Sequence, residues 1–262
     1  MLPVAEVVWL NQLFQLTDVF GFSQRLIRTS MARLVDEGWV ENERVGRVSR
    51  YHLTPAAVEE STRADDNIYR QAVETWDGEW VLAFVSSTAD TEGSRALPSL
   101  KEHLRWRGFA DLGNGVLASP NATMESTREL CARLSPDITI PLLTAQFDDI
   151  ESMVSDGFFR SAFAVDEQER AYKQFISFYG SENVAKLEGP AAFGFRTMLI
   201  HDLRRIRLRS ALVPKQLLPD PWVGDEAFAL AAEHYAKLSI EAAPYLEQVL
   251  DTTYPSVVPD RF

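Results

Sequence analysis

The sequence has one cysteine, Cys131, so it can form no intrachain disulfide and no cysteine-based zinc site. A lone thiol fits a reducing cytoplasm, where we expect the protein to work. No apolar run approaches the roughly 18–20 residues that cross a bilayer, and no membrane partner is expected. From Met1 to Phe14 no Lys or Arg precedes the apolar residues and Glu6 interrupts them, which makes a poor signal peptide. There is no internal repeat and no low-complexity segment. Enzyme signatures are also missing: there is no Gly-x-Ser-x-Gly elbow, no Gly-x-Gly-x-x-Gly and no phosphate loop. His52, His103, His201 and His234 are too scattered to suggest a metal site by spacing. No catalytic residue, metal or cofactor is therefore expected. Basic residues are scarce, 26 against 38 acids, and the net charge of -12 argues against indiscriminate coating of nucleic acid or anionic lipid.

What is present is enough to fold. The chain has 262 residues, 46% of them hydrophobic, which allows one large domain or two to three small ones with real cores. Val4, Val7, Val8, Leu10, Leu13, Phe14 and Leu16 recur at roughly helical spacing. Gly21 breaks the pattern, and Ser23 can cap a second helix that runs to Glu37 and ends at Gly38. Its apolar face is expected at Leu26, Ile27, Ser30, Met31, Leu34 and Val35. Trp39 to Glu41 and Arg50 to Leu53 read as strands around the tip Arg44 to Ser49, a β-hairpin wing. Thr54 and Pro55 start a further helix, followed by a polar connector from Glu59 to Thr75.

The middle of the chain alternates. Trp80 to Val85 is an apolar run of strand length, and Ser94 to Trp106 reads as an amphipathic helix. Gly113-Asn114-Gly115 joins two strands as a hairpin turn. Thr123 to Leu134 is a helix that carries Cys131 as a small buried apolar residue, and Ile138 to Phe147 is a last strand. The order β-α-β-β-α-β is that of a ferredoxin-like unit. Helices are expected over Ile150–Tyr179, Val184–Lys186, Phe193–Arg209 and Asp225–Leu250, the last interrupted near Ala243-Pro244. The fold class is α+β. It comprises a winged helix-turn-helix over 1–60, a helical linker over 61–78, a ferredoxin-like domain over 79–148 and a helical domain over 149–262.

Charge is distributed unevenly. The span Gly21 to Thr54 holds six arginines and four acids, a net of +2, which leaves −14 for the rest of the chain. In a winged helix the second helix enters the major groove and the wing rides the adjacent backbone. Arg28, Thr29 and Arg33 lie largely off the apolar face, and Ser23, Gln24 and Arg25 fill the N-terminal turn. Arginine can chelate guanine and glutamine can chelate adenine. Arg44, Arg47 and Arg50, with Ser49 between them, suit phosphate contacts that set register and affinity. The alternative is a solvated basic face on an ordinary helical hairpin.

These residues resemble a family. RTSMARLVDEGW from Arg28 and GRVSRYHLT from Gly46 look like the DNA-binding region of PaaX-type repressors, regulators of phenylacetic acid catabolism in bacteria. Ile68-Tyr69-Arg70 with WDGEW from Trp76 is similar to the family's linker and first central strand. LRWRGF from Leu104 and GVLASP from Gly115 resemble its central domain, which has a Cas2-like ferredoxin-like fold. LIHDLRR from Leu199 and LLPDPWVG from Leu217 resemble its C-terminal domain. The resemblance implies a homodimeric repressor on a double-stranded DNA operator, released by an aryl-acyl-CoA effector such as phenylacetyl-CoA. The family has a longer lead before Val7-Val8-Trp9-Leu10, which implies that the first helix is missing here or that the start codon is misassigned. It also has an Asp-Pro pair that is replaced near Ser210-Ala211.

For the effector, the arginine-rich stretch Arg196 to Arg209 suggests His201, Arg204 and Arg205 as a clamp for CoA phosphates. Trp222 and Phe193 are candidates to face an aryl group. The competing expectation is that these arginines pair with acids elsewhere and that the rings are core. Two other functions stand as alternatives. One is a Cas2-like metal-dependent nuclease, although the first central strand ends Val85-Ser86-Ser87 and the nearest acid is Asp90. The other is a scaffold that does not bind DNA.

Overall fold

The computed structural model describes residues 7–69, 76–86, 96–146, 157–181, 184–209 and 213–251. The chain divides into two compact units. One comprises residues 1–69, 179–202 and 229–262, and the other residues 70–178 and 203–228.

Among its described residues the first element of the first unit is a strand, β1 (Val8–Trp9), where helical spacing predicts a helix. Val8 and Trp9 pair antiparallel with Tyr51 and Arg50, so a local helical pattern yields to the open edge of a distant strand. Helix α1 (Leu10–Asp18) follows, its start closed by Gln12 Oε1 accepting from the Trp9 N–H at 2.8 Å. Gly21, at φ +71°, turns the chain into α2 (Gln24–Asp36). Ser23 Oγ caps α2 by accepting from the Leu26 N–H at 3.3 Å. The far end closes in a Schellman motif around Gly38, with Gly38 N–H on Val35 O and Trp39 N–H on Leu34 O. Ile27, Met31 and Val40 form a small core with Leu10, Leu13 and Phe14 against it.

Leu26 and Ser30 do not join that core. Leu26 is 49% exposed, because about 100° of helix rotation separates it from Ile27 and carries it past the edge of the buried sector. Strands β2 (Val40–Val45) and β3 (Val48–Leu53) are longer than predicted and meet in a two-residue turn, Gly46-Arg47. Gly46 has φ +64° and Arg47 does not have a positive φ, the pattern of a type II′ turn whose twist suits the hairpin. The sheet order is β1-β3-β2, and α3 (Pro55–Tyr69) leaves it.

The second unit holds the central sheet: β4 (Glu79–Phe84), α4 (Leu97–Trp106), β5 (Ala110–Gly113), β6 (Val116–Ser119), α5 (Met124–Leu134) and β7 (Leu142–Gln146). The antiparallel order β5-β6-β4-β7 is the ferredoxin-like arrangement. The run Trp80 to Val85 is continuously apolar because both faces of β4 are covered. Val81, Ala83 and Val85 pack with Leu100, Leu104 and Leu130 from the two helices. Trp80 and Leu82 pack on the other face with Phe159, Phe163 and Leu217. Strand β7 starts later than Ile138, since Ile138 and Ile140 pack into the first of these cores before the strand begins.

Among the described residues four further α-helices follow: α6 (Phe158–Ala162), α7 (Val165–Tyr179), α8 (Gly189–Arg209) and α9 (Val223–Leu250). The single helix expected up to Tyr179 is split at Ala164, whose φ of +49° ends one helix and starts the next. The interruption expected at Pro244 does not occur. Pro244 lies on the exposed side of α9 while Ala242 and Ala243 are buried, so the helix continues with the Ile240 carbonyl, which loses its N–H partner, on the wet side.

Candidate nucleic-acid interface

The six arginines of the span Gly21 to Thr54, the head of the chain, fall into two sets. Arg28 sits at the border of the buried face of α2, and its guanidinium lies 4.8 Å from the Phe14 ring centroid on α1. Arg33 Nε is 2.7 Å from Glu37 Oε1, one turn on. Arg50 is 2.6 Å from Glu43 across the hairpin, and its guanidinium lies 5.8 Å from the Trp9 ring. These three already have partners within the protein.

Arg25, Arg44 and Arg47 are exposed and have no side-chain partner among the described residues. Arg25 lies on the first turn of α2 with exposed Gln24 beside it, and Arg47 occupies the hairpin tip. Arg44 is directly opposite half-buried Ser49. Thr29, one turn beyond Arg25, is exposed and bonds its own helix, Oγ1 donating to Arg25 O at 3.0 Å. The uncommitted cations therefore lie at the start of α2 and along the hairpin, with none on the buried side of the helix.

Two features escape a residue-type search. Phe22 and Leu26 are 47% and 49% exposed beside Gln24 and Arg25, so the leading edge of α2 is apolar as well as cationic. Glu41 and Glu43 lie opposite His52 and Arg50 at the base of the hairpin and engage both. The hairpin register gives those pairs away once the turn at Gly46-Arg47 is placed.

The residues suggested for an effector are divided between the units. His201 is exposed in the first, where its neighbour Asp202 accepts from Tyr179 Oη at 2.8 Å. Phe193 also belongs there and is buried between Phe20 and Tyr245, a core position rather than a surface for an aryl ligand. Arg204, Arg205 and Trp222 belong to the second unit. Trp222 meets the edge of Tyr172 at 5.9 Å and 85°, and a Cβ at Gly224 would fall on its indole. Arg207, which the sequence does not set apart from its neighbours, hydrogen-bonds Tyr172 and lies 5.8 Å from the Phe228 ring. Burial pushes the Tyr172 phenol up and Arg207 pulls it back. Asp90 and Ser87 lie outside the described residues.

Three family models match along the chain in order. Residues 3–57 match the PaaX-like protein model, residues 73–155 the PaaX protein central Cas2-like domain, and residues 163–248 the PaaX-like protein C-terminal domain. Over 256 residues the chain is 29% identical to the transcriptional repressor PaaX of Escherichia coli (strain K12), covering 94% of this chain and 79% of that one. A solved structure, an uncharacterised protein of Mycobacterium tuberculosis, shares the fold with a TM-score of 0.53 at 20% identity, covering 87% of each chain. Matched head, centre and tail in the family's own order, the chain belongs to the PaaX-like protein family.

Proposed function

We propose that the chain is a sequence-specific DNA-binding transcriptional repressor of a catabolic operon of the phenylacetate type. Helices α1 and α2 with the β2–β3 hairpin act as a winged helix-turn-helix over residues 1–60, and α2 enters the major groove. A linker over 61–78, a Cas2-like ferredoxin-like domain over 79–148 and a helical domain over 149–262 complete the organisation. The observation that carries the reading is the placement of Arg25, Arg44 and Arg47, exposed and uncommitted on helix and hairpin in a chain of net charge -12. Gln24, Arg25 and Thr29 face base edges, with Ser23 fixing the helix start. Arg28 and Arg33 reach the groove by leaving Phe14 and Glu37. Arg44, Arg47, Ser49 and Arg50 hold phosphates. The protein works in the cytoplasm as a homodimer on two-fold half-sites.

The kinship with a repressor disfavours the nuclease reading. It also supports an effector, which we assign to an aryl-acyl-CoA such as phenylacetyl-CoA. His201, Arg204 and Arg205 are the proposed phosphate contacts and Trp222 the aryl contact. The test of the core reading is an electrophoretic shift with duplexes selected from a random pool by the full chain. Replacing Arg25, Arg44 and Arg47 together with Ala should abolish the shift, and binding that survives this change sinks the reading. A thermal-shift comparison of phenylacetyl-CoA with phenylacetate and free CoA tests the effector. A ligand at a hundred times its Kd stabilises by about 2.7 kcal/mol, so equal shifts for all three compounds remove it.

A further inference from the structure

The last turn of any α-helix has carbonyls with no partner inside the helix. In the last turn of α1 the carbonyl Gln15 O is held from far along the chain: Tyr245 Oη on α9 donates to it at 2.9 Å. The Tyr245 phenol is pushed up by burial and by Asp18 nearby, so it keeps the proton it donates. The Tyr245 ring packs on Phe193 of α8 at 5.7 Å, Phe193 on Phe20 at 6.1 Å, and Phe20 on Phe22 at 5.9 Å. Phe20 and Phe22 belong to the turn between α1 and α2, and Phe22 immediately precedes the cap of α2. At Gly194, next to Phe193, a Cβ would stand 2.7 Å from Val19 Cγ1, closer than real Cβ atoms come. Gly194 is in the interior of α8, where glycine weakens a helix by about 1 kcal/mol relative to alanine. Close approach of the α1–α2 turn is a physical reason for glycine there. All of these residues belong to the first compact unit.

We propose that Tyr245, Phe193 and Gly194 are positioning residues that grip the end of α1 and the α1–α2 turn, and thereby set how α2 is presented to DNA. The proposal rests on the DNA-binding reading above, and goes beyond it by placing control of the reading helix on α8 and α9. The grip acts at the only segment that joins α1 to α2, so a small shift there is transmitted to every side chain of α2.

The test uses the full chain with Gly194→Val, Tyr245→Phe and, as a stability control, Leu104→Ala in the central core. The first readout is the ratio of Kd values for a scrambled and a selected duplex. Misplacing α2 narrows that ratio, whereas partial unfolding weakens both duplexes equally and leaves it unchanged. Gly194→Val should narrow the ratio about tenfold. Tyr245→Phe, which loses one hydrogen bond and folds normally, should narrow it about threefold. Leu104→Ala should leave it alone. The double change Gly194→Val with Val19→Ala makes room for the new side chain and should restore the ratio. The second readout, amide exchange over residues 15–26 without DNA, should accelerate in Gly194→Val and Tyr245→Phe. Unchanged exchange in both variants overturns the grip, and faster exchange with an unchanged ratio overturns its role in presenting α2. A wild-type chain that prefers no duplex removes the DNA-binding reading instead.

Discussion

Arg50 and Glu43 stand directly opposite each other on β3 and β2, with Arg50 Nη2 2.6 Å from Glu43 Oε2. The pair decides which part of the hairpin carries charge. Below it His52 faces Glu41 at 3.0 Å, so the acids at the base of the hairpin are held by cross-strand partners. Above it Arg44 and Arg47 have no acid to meet among the described residues. Arg33 with Glu37 and Arg28 against Phe14 leave α2 in the same condition, with Arg25 as its open cation. A nominal net charge of +2 for the head therefore resolves into three uncommitted arginines and a set of locally satisfied ones.

Glu43→Gln removes the charge that holds Arg50. Exposed ion pairs contribute about 0–1 kcal/mol, so the melting temperature should barely move. Arg50 no longer has to leave Glu43 to hold its phosphate, so duplex binding should tighten at every salt concentration. Thermal denaturation checks the first quantity and fluorescence anisotropy across a salt series the second. An affinity identical to wild type would place Arg50 away from the DNA.

Arg47→Ala and Arg25→Ala should differ in kind. Arg47 is at the hairpin tip, so its loss weakens selected and scrambled duplexes alike and lowers the salt slope by about one. Arg25 is on the leading turn of α2, so its loss should cost about 1–3 kcal/mol on the selected duplex and relax the preference at one position. Competition binding against single-base variants of the selected duplex separates them. Uniform loss in both variants would mean that Arg25 touches only backbone.

The fold was legible where local pattern and tertiary need agree. Ser23 and Gly38 bracket α2 because a side-chain oxygen and a left-handed glycine act within a few residues of their own position. The continuous apolar run at Trp80 announces a strand covered on both faces. The errors lie where distant contacts decide. Val8 and Trp9 keep helical spacing, yet the open edge of β3 takes them as a strand. Pro244 reads as a break, but its position on the wet side of α9 makes it tolerable. For the candidate interface, residue type assigns all six arginines to DNA, three to the helix and three to the wing. Their partners divide them: Arg33 and Glu37 follow from i,i+4 spacing, whereas Arg50 and Glu43 follow only once the hairpin turn is fixed at Gly46-Arg47. The hydrogen bond that Tyr245 makes to α1 has no local signature, since 230 residues separate donor and acceptor.

Cys131, buried in α5, has its thiol pushed up by desolvation. The neutral form is favoured in the folded state and the thiolate is withheld. A disulfide-exchange reagent at pH 8 should therefore react many times more slowly with the native chain than with the denatured one. The sign for stability follows from the raised value. Above the free-thiol value of about 8.5 the unfolded chain releases the proton first, so stability falls as pH rises. Rapid native labelling at pH 8 would show that Cys131 is reached without unfolding.

Strand β4 feeds two cores at once, and that arrangement makes a mechanical prediction. Leu104 is fully buried on one face of the sheet, and Trp80, 1% exposed, stacks on Phe159 at 5.2 Å on the other. Truncating a buried leucine costs about 2–5 kcal/mol and a buried tryptophan about 3–5 kcal/mol. Because Trp80 and Val81 are adjacent on one strand and point to opposite faces, neither core can open without freeing β4 from the other. Leu104→Ala and Trp80→Ala should each move the same unfolding transition in a denaturant titration of the full chain. If instead the titration separates into two steps and each variant shifts a different one, the helices that cover Trp80 fold independently of the sheet they sit on.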